Sequence, residues 1–115
     1  MSFLARLFSV RPAVKPQDSV RVHFKLSDRE FGTSDERDRV HQLTARLDAL
    51  IREHRAGEFD GDEFGNGEGT LFMYGPDADR LFETVLPALK DWEALKGGYA
   101  IKRYAESNRS VRIDF

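Results

Sequence analysis

A chain of 115 residues that is 40% hydrophobic and 33% charged has room for one hydrophobic core and is too apolar to be a disordered polypeptide. It contains no cysteine, which removes disulfides, thiol nucleophiles and zinc–thiolate centres from consideration. Its formal net charge of -2 argues against general nucleic-acid binding, which usually rests on a net basic domain.

Residues 1–18 read as an arm or tail, and residues 19–115 as one α+β domain. In the arm, Phe3, Leu4, Leu7 and Phe8 recur at helical spacing beside Arg6 and Arg11, until Pro12 and Pro16 halt any helix. The plain reading is a frayed tail or an arm that packs on the domain; the sharper one is a short amphipathic helix that meets a membrane surface or a partner. No apolar run has the length of a transmembrane helix. The opening MSFLARLFSVRP also lacks the unbroken apolar stretch of a signal peptide, so the cytoplasm is the expected compartment.

Residues 20–26 alternate apolar and basic side chains, which is the period of a strand. Val20, Val22, Phe24 and Leu26 would line a core, leaving Arg21, His23 and Lys25 on the other face. Thr33 and Glu36 then have capping-box spacing, with Ser34 a competing cap. They introduce a helix whose apolar stripe is Val40, Leu43, Leu47, Leu50 and Ile51.

Between Arg55 and Arg80 there is no Lys, Arg or His, while Glu58, Asp60, Asp62, Glu63, Glu68, Asp77 and Asp79 are all present, along with six glycines. This segment reads as a hairpin: Glu58–Phe64, a Gly65-Asn66-Gly67 turn, then Thr70–Tyr74. Phe59 and Phe64 are five apart and would face opposite ways in a regular strand. A bulge at Gly61 would restore them to one face. A second helix follows, with Leu81, Phe82, Val85, Leu86, Leu89 and Trp92 as its buried stripe and Pro87 as a kink or break. Gly97-Gly98 stop it, and Tyr99–Tyr104 pairs with Ser110–Phe115. The element order β-α-β-β-α-β-β points to an α+β sandwich of the ferredoxin-like, split βαβ kind. It would have an antiparallel sheet, two helices on one face and an extra C-terminal strand.

Few residues carry the pattern of a reaction. Asp60, Asp62, Gly65 and Glu68 match positions of a calcium loop, but Leu71 stands where the bidentate glutamate belongs, so no metal site is expected. His23 is the most interesting titratable group, because its strand should be central. His41 reads as solvated, and His54 as partly buried at a helix end. Gly69–Tyr74 bears a faint likeness to an RNA-recognition strand, but Glu68 replaces the basic residue before the glycine, and the acidic hairpin would repel phosphate. Core and sheet packing account better for Phe72 and Tyr74. No phosphate-binding loop, dinucleotide fingerprint, catalytic triad or HExxH is present, and no cofactor or catalytic residue is implied.

Over residues 20–104 the chain resembles small uncharacterised bacterial proteins whose middle reads like GEFDGDEFGNGEGTLFMYGPDADRLF followed by a GGY strand. That resemblance implies a ferredoxin-like domain of unknown function and brings no catalytic residues with it. The charge layout points to a non-enzymatic interaction module, as a homodimer or as an inhibitor or immunity-type partner of a basic protein. Arg21, His23, Lys25, Glu58, Asp60, Asp62 and Glu63 would do the binding. The alternative is a small enzyme or ligand-binding domain that uses His23 with hairpin carboxylates.

Overall fold

Alternation of apolar and basic side chains makes Asp18–Lys25 a strand, β1, in the computed structural model, which describes residues 17–115. Residues 1–16, and with them the apolar cluster of the arm, lie outside the described residues. Asp18 and Ser19 already belong to β1. The Asp18 carboxylate accepts the Ala78 N–H at 3.0 Å and the Ala105 N–H at 2.9 Å, joining the start of a helix to a distant turn.

Helix α1 (Ser34–Glu53) begins at the expected capping box. The Glu36 N–H donates to the Thr33 hydroxyl at 3.1 Å, and the Thr33 N–H donates to the Glu36 carboxylate at 3.0 Å. The Ser27 N–H also donates to that carboxylate, so one side chain fixes both the cap and the loop leaving β1. The Ser27 hydroxyl, which also donates to it, and then the Thr33 and Ser27 N–H groups hold the Glu36 carboxyl below its ordinary range.

The acidic segment is a hairpin of β2 (Glu58–Gly65) and β3 (Glu68–Gly75). Its two-residue turn places Asn66 at φ 54° and Gly67 at φ 75°, the left-handed pair a type I′ turn requires. The register shifts between Phe59 and Gly61, so Asp60 is the extra residue of a bulge. Phe59 then stands opposite Met73 and Phe64 opposite Gly69, both on the core side.

Helix α2 (Ala78–Lys90) starts at Asp77, whose carboxylate accepts the Asp79 and Arg80 N–H groups. It runs through Pro87 without a break, and the Asp91 N–H still donates to the Pro87 carbonyl at 3.2 Å. The helix ends at Lys90, earlier than expected. Trp92 therefore lies beyond it, before a single 3-10 turn (Glu93–Leu95), with its ring edge-on to Phe24 at 4.8 Å. Strands β4 (Tyr99–Tyr104) and β5 (Arg109–Asp114) close the chain as a hairpin.

All strand pairs are antiparallel, in the order β2-β3-β1-β4-β5, with β1 in the middle. One face buries Val20, Val22, Phe24, Leu71, Met73 and Ala100 against Val40, Leu43, Leu47 and Ile51 of α1 and Leu81, Phe82, Val85 and Leu89 of α2. Two helices about 10 Å apart cover roughly four strands spaced 4.8 Å, so a fifth overhangs. Ile113 shows the consequence. It points to the helix side but is only half-buried, not a full core residue, and Val111 beside it is exposed. No helix among the described residues is long and apolar enough to cross a membrane.

Candidate functional site

The face turned away from the helices is built by the pleat of three central strands. Arg21 stands opposite Phe72 of β3 and Ile101 of β4; His23 stands opposite Thr70 and Tyr99; Lys25 stands opposite Glu68. On β5, Arg112 is paired with Ile101 and Asp114 with Tyr99, so both share this face. Its midline is a ladder of stacked side chains. The His23 ring lies 4.7 Å from Tyr99, nearly parallel to it, and the Arg112 guanidinium sits 3.8 Å from the Tyr99 ring centre. On the other flank, His23 Nδ1 is 3.2 Å from the Thr70 hydroxyl. Arg21 lies 5.9 Å from the centre of Phe72.

These contacts settle what the face offers. On this face the Tyr99 ring is stacked with an imidazole and a guanidinium, and the Phe72 ring lies under a guanidinium, while Tyr74 is half-buried farther along β3. What projects outward is charge: Arg21 and Lys25 of β1, Arg103 of β4 and Arg112 of β5 are all exposed. Desolvation lowers the pKa of His23 below 6.5; Arg21 and Arg112 add to this and Glu68 opposes it. The imidazole is therefore a neutral, stacked member of the ladder at neutral pH.

The seven residues singled out by sequence do not form one cluster. Arg21, His23, Lys25, Glu58 and Glu63 share the open face, with the two glutamates on the outer strand β2. Asp60 is the exposed bulge residue. Asp62 points to the helix side, 3.8 Å from His41 Nε2. His41 is exposed, as its polar helix position implies, and its ring also meets Phe64 edge-on. His54 is exposed at the C-cap of α1, not partly buried. Phe72 and Tyr74 are half-buried on the open face and lie outside the core cluster. Sequence reasoning missed Tyr99, Arg112, Thr70 and Arg103. Alternation within Tyr99–Arg103 and Ser110–Asp114 was visible, but only the register assigns those side chains to a face.

On the helix side, two clefts lie around Trp92. One, of about 270 Å³, is lined by Arg39, Leu43, Ala88 and Trp92 and bordered by the Arg46–Asp91 pair at 3.2 Å. The other, about 100 Å³, lies among Phe24, Lys25, Leu26, Glu36 and Trp92. Neither includes His23. A second polar cluster links α2 to β4: Asp79 accepts from Lys102 Nζ at 2.8 Å and from the Tyr104 hydroxyl. Those bonds hold the Asp79 carboxyl low and Lys102 high. Among the described residues, no three His, Asp or Glu side chains come together as a metal site would require.

No family model, curated protein or solved structure matches the chain.

Proposed function

We propose that the chain is a cytoplasmic, non-enzymatic protein-interaction module of ferredoxin-like architecture, and that its open sheet face is the binding surface. The strand order suits that architecture, two split βαβ halves with β5 appended beside β4. The same architecture is what the resemblance to small bacterial proteins with a GEFDGDEFGNGEG-type middle implies. The observation that carries the functional reading is the ladder Arg112–Tyr99–His23–Thr70, a surface in which rings brace cations outward. Rigid aromatic and arginine side chains held in this way are the usual anchors of protein interfaces. On the β2 flank, Glu58, Glu63 and Glu68 supply the opposite sign. A partner with acidic and basic patches is thereby oriented as well as held, and a basic partner would meet the hairpin first.

An enzymatic use of His23 finds less support. Glu63 stands two strands away, with Thr70 between it and His23. Glu68 is opposite Lys25, and the hydrogen-bond neighbour of His23 is Thr70.

The test uses three immobilised proteins: the unaltered chain, the triple variant Arg21→Ser/His23→Ser/Lys25→Ser, and a helix-side control, Arg46→Ser. Proteins from a lysate of the native cell should be retained by the first and third, released by raised salt, and lost by the triple variant. An identical retained set on the triple variant would remove the open face as the binding surface.

A further inference from the structure

Among the described residues the sheet has two unpaired edges, and they differ in how they are guarded. Edge strands normally block chance pairing with bulges and outward charges. β2 uses both, with its bulge at Asp60 and its carboxylates Glu58, Asp62 and Glu63. β5 has an unbroken register over its whole length. It carries two exposed arginines whose guanidiniums lean from the edge over the rings of β4. The Arg112 guanidinium lies 3.8 Å from the centre of Tyr99, and the Arg109 guanidinium 5.3 Å from the centre of Tyr104. Along the outer edge remain Ser110, Val111, Ile113 and Asp114, whose carboxylate is taken up by Arg112 Nε of the same strand at 2.9 Å, and Val111 is one of the large apolar residues left exposed.

The hydrogen-bond pattern shows which main-chain groups are free for a new strand. The Phe115 N–H donates to the Gly98 carbonyl at 3.0 Å, and the Phe115 carbonyl accepts from the Gly97 N–H at 3.0 Å. The main chain of Phe115 therefore faces β4. By strand alternation that of Ile113, Val111 and Arg109 does too, while the N–H and C=O of Ser110, Arg112 and Asp114 face outward.

We propose that β5 is a self-recognition edge: two copies of the chain join antiparallel through β5 about a two-fold axis at Val111, making one continuous ten-stranded sheet. The register follows from the free groups and the side chains together. An axis perpendicular to the sheet keeps both helix layers on the same side, so opposed residues must share a face. Centred on Val111, Ser110 of one copy exchanges both main-chain bonds with Arg112 of the second copy, and the reverse. Val111 meets Val111 as a non-hydrogen-bonded pair, where side chains come closest. Arg109 faces Ile113 and Asp114 faces Asn108, so no like charges are opposed. Moving the axis to Arg112 would set two arginines directly against each other. An axis at Ile113 would also match faces, but it centres on a half-buried side chain; Val111 is placed at the centre because it is the exposed apolar residue of β5 and gains a partner there. The pairing is independent of the open face. It would place two such faces side by side, with Arg112 and Arg103 of both copies near the seam.

The absence of native cysteine makes the register directly testable. A non-hydrogen-bonded antiparallel pair holds its Cα atoms about 4.5 Å apart, within disulfide range, whereas residues offset by two positions stand about 8 Å apart. Val111→Cys and Ser110→Cys are compared as full chains in a glutathione redox buffer, with sedimentation velocity on the unaltered chain and Val111→Lys. Both altered sites are exposed, and circular dichroism melts confirm each variant is folded. The proposal expects V111C to become mostly a disulfide-linked dimer at least tenfold faster than S110C. It also expects a concentration-dependent dimer of the unaltered chain and a monomer for V111K. Equal cross-linking of the two cysteine variants, faster cross-linking of S110C, a dimer that survives V111K, or an unaltered chain that stays monomeric at several hundred micromolar would each overturn it.

Discussion

Gly69 faces Phe24 across β3 and β1, and no turn requires a glycine there, since its φ is not positive. A Cβ at Gly69 would lie 2.2 Å from Cζ and 2.5 Å from Cε2 of the Phe24 ring, well inside the 3.4 Å at which ordinary contact begins. The ring cannot swing into solvent. It is 3% exposed, with Trp92 edge-on at 4.8 Å and Phe64 at 6.3 Å. Overpacking of this kind costs about 1–3 kcal/mol. Replacing glycine by alanine returns about 0.4–1 kcal/mol through the unfolded chain. Gly69→Ala should therefore lose about 1–2 kcal/mol net, or roughly 5–15 °C in melting temperature for a domain of this size. Phe24→Leu removes the ring atoms that clash, so in that background Gly69→Ala should be neutral or slightly stabilising. Urea melts of the four proteins in the cycle measure the coupling. Equal costs of Gly69→Ala in both backgrounds would show that the ring does not lie over the glycine, and the core register described for β1 and β3 would be wrong.

Asp18→Ala should cost about 2–3 kcal/mol, because it strips the acceptor from the Ala78 and Ala105 N–H groups, and Asp18→Asn should cost less; chemical denaturation measures both. Burial lowers the pKa of His23, so the folded state resists its protonation: stability is undiminished above about pH 6.5 and falls as pH drops through that value toward the lower folded pKa. Melts between pH 5 and 7.5 should show His23→Gln losing less stability on acidification than the unaltered chain, and equal losses would contradict the stacked, desolvated ring. Asp60, Asp62 and Glu63 diverge across a bulge and two sheet faces, so millimolar calcium should leave the melting temperature unchanged within a degree. A rise of several degrees, abolished by Asp60→Asn/Asp62→Asn, would refute that reading.

Local patterns were the legible part of this chain. Strict alternation in residues 20–26 announces β1 and its two faces, and Thr33 with Glu36 announces the start of α1. Asn66-Gly67 announces a tight hairpin, and the five-residue spacing of Phe59 and Phe64 implies the bulge that the register contains. What sequence did not disclose depends on distances between elements. Tyr99 and Arg112 join His23 only because β4 pairs with β1 and β5 with β4 in one particular register. Asp62 and Glu63 are neighbours in sequence and lie on opposite faces. Ile113 has the period of a core residue, yet two helices are too narrow to cover a fifth strand. Trp92 fits the stripe of α2 by spacing but lies past its end, where it packs on Phe24 instead.

Whether the open face is covered by protein in the living cell, as proposed above, can be read by lysine footprinting without knowing the partner. Lys25 lies exposed on that face, while Lys90 and Lys96, at the end of α2 and after the 3-10 turn, are exposed away from it. An amine-reactive, membrane-permeant label would be applied to intact cells and to the dilute purified chain, and the modified peptides quantified by mass spectrometry. Lys25 should be labelled several-fold less in cells than in dilute solution, with Lys90 and Lys96 unchanged. Equal labelling of Lys25 in both settings, or protection confined to Lys90 and Lys96, would contradict the proposal.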